Sequence, residues 1–294
     1  MTSATIPPTA EPKEQIIVKL DSQIANSIEL CGARYEMEHV LNMRPIDKAP
    51  ALEHGDVMHR MLAHYYRQHQ KGRINPQEAA IVTQECLLIG REATAQMKYP
   101  VTEFEEMDAP TFQSYILRNQ YDGWKVLDVE QPFSKVLYED AYLMIIYEGI
   151  VDLRIAEPKG DEATVDHKTE SRKSHPYILS NQMEGYQWAF GSKVIINKVG
   201  YQVSLPDAER FRRYHHMVSD ALLQEWIDDM VRSVQKAITW HSTGIFPRNR
   251  TSCDKYSGCM YQKICACDPE VREFKLQANF IKQDAWDPFT RDAE

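Results

Sequence analysis

The stretch KVLDVEQPFSKVLYEDAYLMIIYEGIVDLRIAE, residues 125–157, constrains this chain more than any other. It is dense in β-branched and aromatic residues, which suit a pleated, half-buried surface. Turn-like YEDA interrupts it at 138–141, and EPKGDEA closes it at 157–163. The spacing predicts three strands in hairpin succession, with TVDHKT at 164–169 as a fourth. A sheet needs cover, and helical periodicity lies on both sides of this one. Residues 22–43 read as a helix with apolar positions at Ile24, Ile28, Leu30, Val40 and Leu41. Pro45 and Pro50 mark a connection; 55–70 then places Val57, Met58, Met61, Leu62 and Tyr65 on one broad stripe. Residues 76–98 and 110–121 are helical too, parted by the acidic loop TEFEEMD. Beyond the strands come a helix at 178–192, a strand or strand pair at 194–205 and a long amphipathic helix at 216–241. The expected fold is α/β, a central sheet flanked by helices with a helical N-terminal region. A disordered tail is expected at 1–15, a single domain at 16–275 and a polar tail at 276–294. Within the domain, 22–121 is the helical part, 125–241 the α/β core and 250–268 a cysteine-rich segment.

The chain has 294 residues, 43% of them hydrophobic, enough to bury a sizeable core. The net charge of −9 argues against a protein that coats duplex DNA by bulk positive charge. It leaves room for an enzyme with clustered carboxylates and a local basic groove. Basic residues group at Arg172 and Lys173, at Arg210, Arg212 and Arg213, and at Arg248 and Arg250. Each group taken alone reads as solvated surface. No apolar run reaches membrane-spanning length. The start, MTSATIPPTAEPKEQ, is polar and Pro-rich, unlike a signal peptide. An intracellular, cytoplasmic protein without membrane partners is therefore expected.

TVDHKTE, residues 164–170, is unusual inside a sheet because charges crowd it. In a strand, residues i and i+2 share a face, so Asp166 and Lys168 project together and His167 points the other way. A carboxylate beside a lysine suits hydrolysis of a phosphodiester: the acid holds a hard cation, and the ammonium stabilises developing charge. EGIVDLR places Asp152 fourteen residues upstream, in a neighbouring strand. If the strands pair, Asp152 and Asp166 share one cation, which relieves their repulsion. The competing reading makes Asp152 a strand-end residue paired with Arg154, and D-x-K an ordinary surface ion pair.

EGIVDLR followed by TVDHKTE resembles the G-x-x-D and D-x-K pair of PD-(D/E)XK nucleases, in particular the RecB-like branch. GDVMH, Gly55 to His59, is similar to that branch's upstream G-x-x-x-H. QMEGY, Gln182 to Tyr186, matches its Q-x-x-x-Y, and IELCGARYEMEHVL resembles its N-terminal cysteine segment. These motifs, with the C-terminal cysteines, span roughly residues 24 to 267 in the branch's order. The resemblance implies a restriction-endonuclease-like core with a mixed central sheet. It implies that His59, Asp152 and Asp166 bind Mg²⁺ or Mn²⁺, with the backbone carbonyl of His167 as a further ligand. Lys168 would position the attacking water. Gln182 and Tyr186, one helical turn apart, would contact the DNA backbone or Lys168. Glu130, in LDVEQPF, lies where such enzymes often carry an acid, and is given a supporting part only. Without the resemblance, His59 stands out from neither His54 nor His64, and the His215–His216 pair reads as structural.

Of the six cysteines, Cys253, Cys259, Cys265 and Cys267 fall within fifteen residues, which in a reducing compartment points to metal. Their C-x5-C-x5-C spacing lacks the tight knuckle of most zinc sites. Some members of the resembled branch carry a [4Fe-4S] cluster on one N-terminal and three C-terminal cysteines, which implies Cys31, Cys253, Cys259 and Cys265 here. The chain departs from that pattern in its first gap of five residues and in Gly32 after Cys31, where proline is frequent. Cys267 as the last ligand and zinc as the metal stay open. Cys86, in TQECLLIG, reads as a buried thiol.

The expected function is a metal-dependent DNA exonuclease with a structural iron–sulfur cluster, acting on single strands or free ends in recombination, repair or phage DNA processing. A recombination or repair protein partner would fit. Tyr65, Tyr66, Tyr115, Tyr121 and Trp124 are candidate stacking faces for bases, or simply core. Two alternatives stand beside this: a non-catalytic nucleic-acid-binding or complex-forming subunit on the same fold, and a zinc-stabilised scaffold.

Overall fold

The computed structural model describes residues 14–46, 50–72, 76–97, 99–120, 122–171, 177, 179–255 and 258–290. Residues 1–13, Tyr121, Arg172 and Lys173, named above, lie outside these. The first strand, β1 (Ile16–Leu20), leads into α1 (Ser22–Leu30), which Asp21 caps by accepting from the Ile24 N–H at 2.6 Å. Next come α2 (Gly32–Tyr35), a π-helical turn (Glu36–Val40) and β2 (Met43–Pro45). The helical region continues with α3 (Pro50–Gln70), α4 (Pro76–Met97), α5 (Val101–Glu103), a second π turn (Phe104–Asp108) and α6 (Ala109–Asn119). Then follow β3 (Lys125–Glu139), β4 (Leu143–Ala156), β5 (Glu162–Glu170), α7 (Asn181–Phe190) and β6 (Lys193–Gly200). The chain ends with α8 (Asp207–Arg210), β7 (Phe211–His216), α9 (Asp220–Thr243), α10 (Gln262–Cys265), α11 (Pro269–Asn279) and β8 (Phe280–Lys282).

The expected mixed α/β architecture is present. Six strands form one sheet in the order β1-β4-β5-β6-β7, with β3 pairing β4. β1 with β4 and β5 with β6 run parallel; the other pairs are antiparallel. On one face α3, α4 and α6 pack against Leu153, Ile155, Val165, Ile195 and Val199. On the other, α1, α7 and α9 cover Ile145, Tyr147, Val194 and Ile196. A smaller cluster of Ala33, Met37, Met43, Tyr261, Ile264, Leu276 and Phe280 joins the N-terminal helices to the cysteine segment.

Residues 125–157 form two long strands, not three. Pro132 pairs with Ile150 inside β3 without a turn. A proline has no N–H to give a ladder, but β3 pairs on one side only, where that loss is tolerated. The helix expected over 22–43 breaks at Cys31, whose backbone is extended (φ −170°, ψ 122°). Here Gly32 meets Pro247: a Cβ on Gly32 would lie 2.7 Å from Pro247 Cδ and 2.9 Å from its backbone N and O. β1 and β7 have no counterpart in the sequence reading, and α11 and β8 run into the stretch read as polar tail.

β4 positions the site. Its first half, Leu143–Tyr147, pairs with β1, and its last residues, Leu153–Ala156, pair with β5. Between these ladders neither strand reaches it. The sheet forks there, and the freed backbone needs other partners.

Candidate active site

The last β4–β5 ladder pair is Leu153 with Val165. One step further into the fork come Asp152 and Asp166, on neighbouring strands. The His167 N–H donates to Asp152 Oδ2 at 2.6 Å, and the Tyr186 hydroxyl donates to the Ile150 carbonyl at 2.7 Å. Both bonds satisfy backbone groups that the ladder has left. Lys168 Nζ lies 2.9 Å from Asp166 Oδ1 and donates to Gln182 Oε1 at 2.9 Å. Gln182 Nε2 donates to Tyr186 at 3.0 Å, which closes a chain from the ammonium to the β4 backbone. α7 supplies both residues from the same face, four positions apart.

His59 comes from α3, whose Val57, Met58, Met61 and Leu62 are fully buried. Its Nδ1 stands 3.5 Å from Asp152 Oδ1. Two of the other three histidines of this helix, the ones the sequence pattern ranked with it, are engaged elsewhere: His54 Nδ1 meets Asp108 Oδ1 at 3.0 Å, and His64 Nε2 meets Glu85 at 3.1 Å. The structure thus separates three histidines that residue pattern alone left equal.

Glu130 has a larger place than the sequence reading gave it. His59, Glu130 and Asp152 each offer a ligand atom within 4.8 Å of the others, the one such group among the described residues. Glu130 falls opposite Asp152 in the β3–β4 register, between the Val129–Leu153 and Gln131–Val151 pairs. Its φ of 50° is left-handed, a conformation of non-glycine residues that collects at functional sites. The signal available in the sequence was its place on the strand before Asp152; the register decided the rest.

Burial disfavours charge on both aspartates, and their neighbours then drive them apart. At Asp152 the charge and hydrogen bond of His59 outweigh burial and hold the carboxyl well below the usual carboxylate range. At Asp166 burial wins: Lys168 opposes it, Asp152 adds to it, and the carboxyl is pushed up to about 6. Burial works against the His59 cation, but Asp152 and Glu130 raise it to about 9. Burial also works against the Lys168 ammonium, and Asp166 and Asp152 hold its pKa above the lysine value.

A hard divalent cation fits this donor set. Asp166 Oδ2 is buried and accepts no hydrogen bond, although Lys168 Nζ lies 2.8 Å away off the bonding direction. Two carboxylates and one imidazole converge, with the Asp166 carboxylate outside that group on the neighbouring strand, and this oxygen-rich set suits Mg²⁺ or Mn²⁺.

Of the two readings of the aromatic residues, the structure selects core. Tyr65, Tyr66 and Tyr115 are core residues, at most 5% exposed, and half-buried Trp124 lies under the Arg213 guanidinium at 4.0 Å. They are buried because α3 and α6 turn them onto the sheet. Arg210, Arg212 and Arg213 form no open basic patch: each is ion-paired, to Asp207, Glu170 and Asp122 respectively. Cys86 is fully buried, its thiol pushed up to about 12 by burial.

Cys31, Cys253, Cys259 and Cys265 line a single cavity of about 290 Å³, together with Arg34, Arg248, Arg250 and Arg272. Asn249 docks on Cys31 by donating its N–H to Sγ at 3.3 Å and its side-chain amide to the Leu30 carbonyl at 2.9 Å. Cys267 does not line the cavity; its thiol donates to the Lys263 carbonyl at 2.9 Å. Burial pushes the Cys259 and Cys265 thiols up, while Arg34 and Arg248 favour their anions.

The family model of the PD-(D/E)XK nuclease superfamily matches residues 23–266. The chain belongs to this superfamily. Among solved structures it is similar to SSO0001, at 18% identity and a TM-score of 0.35, over 72% of this chain and 84% of that one. It is also similar to the alkaline exonuclease LHK-Exo from Laribacter hongkongensis, at 15% identity and a TM-score of 0.31, over 64% of this chain and 95% of that one. The complex of LHK-Exo with dAMP gives 14% identity at the same score. At these scores the likeness carries no argument about activity. No curated protein matches the chain. Among the described residues no helix is long and apolar enough to cross a membrane.

Proposed function

We propose that this protein is a Mg²⁺- or Mn²⁺-dependent deoxyribonuclease, an exonuclease acting on single strands or free DNA ends. The observation that carries the reading is the convergence of His59, Glu130 and Asp152 within 4.8 Å, next to the Asp166–Lys168 pair. A bound divalent cation supplies positive charge against a phosphate and lowers the pKa of water. His59, Glu130, Asp152 and Asp166 would hold it, with the His167 carbonyl as a further donor. Lys168 positions the attacking water and neutralises charge developing on the phosphate. Gln182 and Tyr186 hold Lys168 in place through the chain of hydrogen bonds to Ile150. The RecB-like resemblance favours a role at DNA ends in recombination, repair or phage DNA processing, in the cytoplasm, with a protein partner of the same pathway.

We also propose a structural [4Fe-4S] cluster on Cys31, Cys253, Cys259 and Cys265. A single zinc ion gathers its sulfurs about 2.3 Å from one point. No three of these sulfurs come within 4.8 Å of one another, and the cavity between them favours a larger group. Four arginines around the cavity offset the negative charge that four thiolates bring.

The test is degradation of end-labelled single-stranded and duplex DNA with Mg²⁺, with Mn²⁺ and with EDTA. Metal-dependent cutting that falls by about 10²–10³-fold in Lys168→Ala supports the reading. Cutting that survives EDTA or the substitution overturns it.

A further inference from the structure

Beside the proposed metal site, on the sheet face opposite Asp166 and Lys168, lies a buried polar row that no step above uses. The register places His167 of β5, Asn197 of β6 and Arg213 of β7 side by side on the face packed by α3 and α6. His167 is 3% exposed and Asn197 1%. Polar groups in such a layer destabilise it unless they are bonded, and the bonds that satisfy them restrict the arrangement.

The bonds run in one direction. Arg213 is anchored at Asp122 Oδ2 (2.6 Å) and Asn119 Oδ1 (2.9 Å), and its Nε donates to Asn197 Oδ1 at 3.1 Å. That donor fixes which end of the Asn197 amide is oxygen. The Nδ2 end then faces His167 Nδ1 at 2.8 Å and the Tyr115 hydroxyl at 2.9 Å. His167 Nδ1 must accept, which puts its ring proton on Nε2. The same ring is stacked on Tyr66 at 5.6 Å and 11°, and His59 meets it edge-on at 6.1 Å. A ring held on its face and its edge cannot rotate. Its own backbone N–H is the 2.6 Å donor to Asp152.

We propose that Asn197 is a positioning residue for the metal site, acting through His167: it locks the ring, and with it the peptide that holds Asp152 in the fork. The inference rests on the nuclease reading for the identity of the site, but its test needs no turnover. Mn²⁺ binding to the purified protein is measured by calorimetry for wild type, Asn197→Leu, His167→Phe and the double variant. Each single substitution is expected to weaken binding about 10-fold, as loss of a ligand-orienting partner does, and the double variant about as much as either alone. Asn197→Asp can still accept from the ring once its proton moves to Nδ1, and is expected to stay within about 3-fold of wild type. Unchanged affinity in Asn197→Leu, or losses that multiply in the double variant, overturn the proposal. Wild-type protein that binds no Mn²⁺ overturns the nuclease reading as well. Should Asn197→Leu fail to fold, the side-chain ¹⁵N spectrum of wild-type His167 decides: a proton on Nε2 is expected, and a proton on Nδ1 overturns the proposal.

Discussion

Glu130 shows how much one residue's setting can add to its identity. As an acid on a strand it is unremarkable, yet the register sets it opposite Asp152 and within ligand distance of His59. Its left-handed backbone is held against an intrinsic preference, which a surface acid would not need. Glu130→Gln keeps shape and backbone while removing an anionic ligand. Mn²⁺ affinity is expected to fall about 10-fold with the thermal midpoint unchanged, measured by calorimetry and a melting curve. Affinity equal to wild type would remove Glu130 from the ligand set. Lys168 offers a contrast: the D-x-K spacing already placed it with Asp166, and the structure adds the Gln182–Tyr186 support.

Among elements, the break between α1 and α2 joins the N-terminal helices to the segment after α9. Cys31 leaves the helix, and Gly32 lets Pro247 approach to a distance no side chain would permit. Gly32→Ala must push back Pro247 backbone atoms, and overpacking of this kind destabilises by about 1–3 kcal/mol. Urea unfolding measures it; an unchanged midpoint would mean the contact is not made. α3 carries a second such joint near its start. His54 is held by Asp108, which Tyr99 and Tyr201 also bond at 3.1 and 2.8 Å. The hydrogen bond to Asp108 raises the His54 pKa, burial opposes it, and the charges of Asp108 and Glu103 add to the rise. A raised folded pKa means that this stability is fully present below the unfolded histidine value of about 6.5 and is lost as pH rises through the folded one. The stability difference between wild type and His54→Gln is therefore expected to be larger at about pH 5.5 than at about pH 9, read from urea unfolding at both. A difference that does not change with pH would sink this assignment.

For the whole molecule, the cysteine cavity ties residue 31 to the segment after α9. Removing one ligand of a group that bridges chain ends should cost both the group and the stability it gives. Cys31→Ser is expected to lose visible absorbance and iron content and to melt at lower temperature. Cys267→Ser is expected to keep all three, because its thiol faces the Lys263 carbonyl outside the cavity. Loss of iron in Cys267→Ser but not in Cys265→Ser would reverse the assignment of the last ligand.

Much of this protein was legible in one dimension because its signals are local. A β-rich centre between helical periodicities fixed the mixed α/β class, and D-x-K on a strand fixed that Asp166 and Lys168 share a face. Motif order added His59 and Asp152 by resemblance, with no physical ground for His59 over His54. What the sequence left undetermined depends on long-range pairing. β1 is five residues long, too short for its periodicity to speak, and becomes a strand because β4 offers it an edge. FRRYHH reads as a basic cluster until β6 pairs with it. The aromatic residues of α3 and α6 look available to bases until the sheet buries them. Only the tertiary structure decided that the ladder of β4 ends at Leu153, since a fork is made by which strands stop pairing. That ending frees the backbone groups of the fork, while the β3–β4 register brings Glu130 to Asp152 and the packing of α3 turns His59 toward the acids.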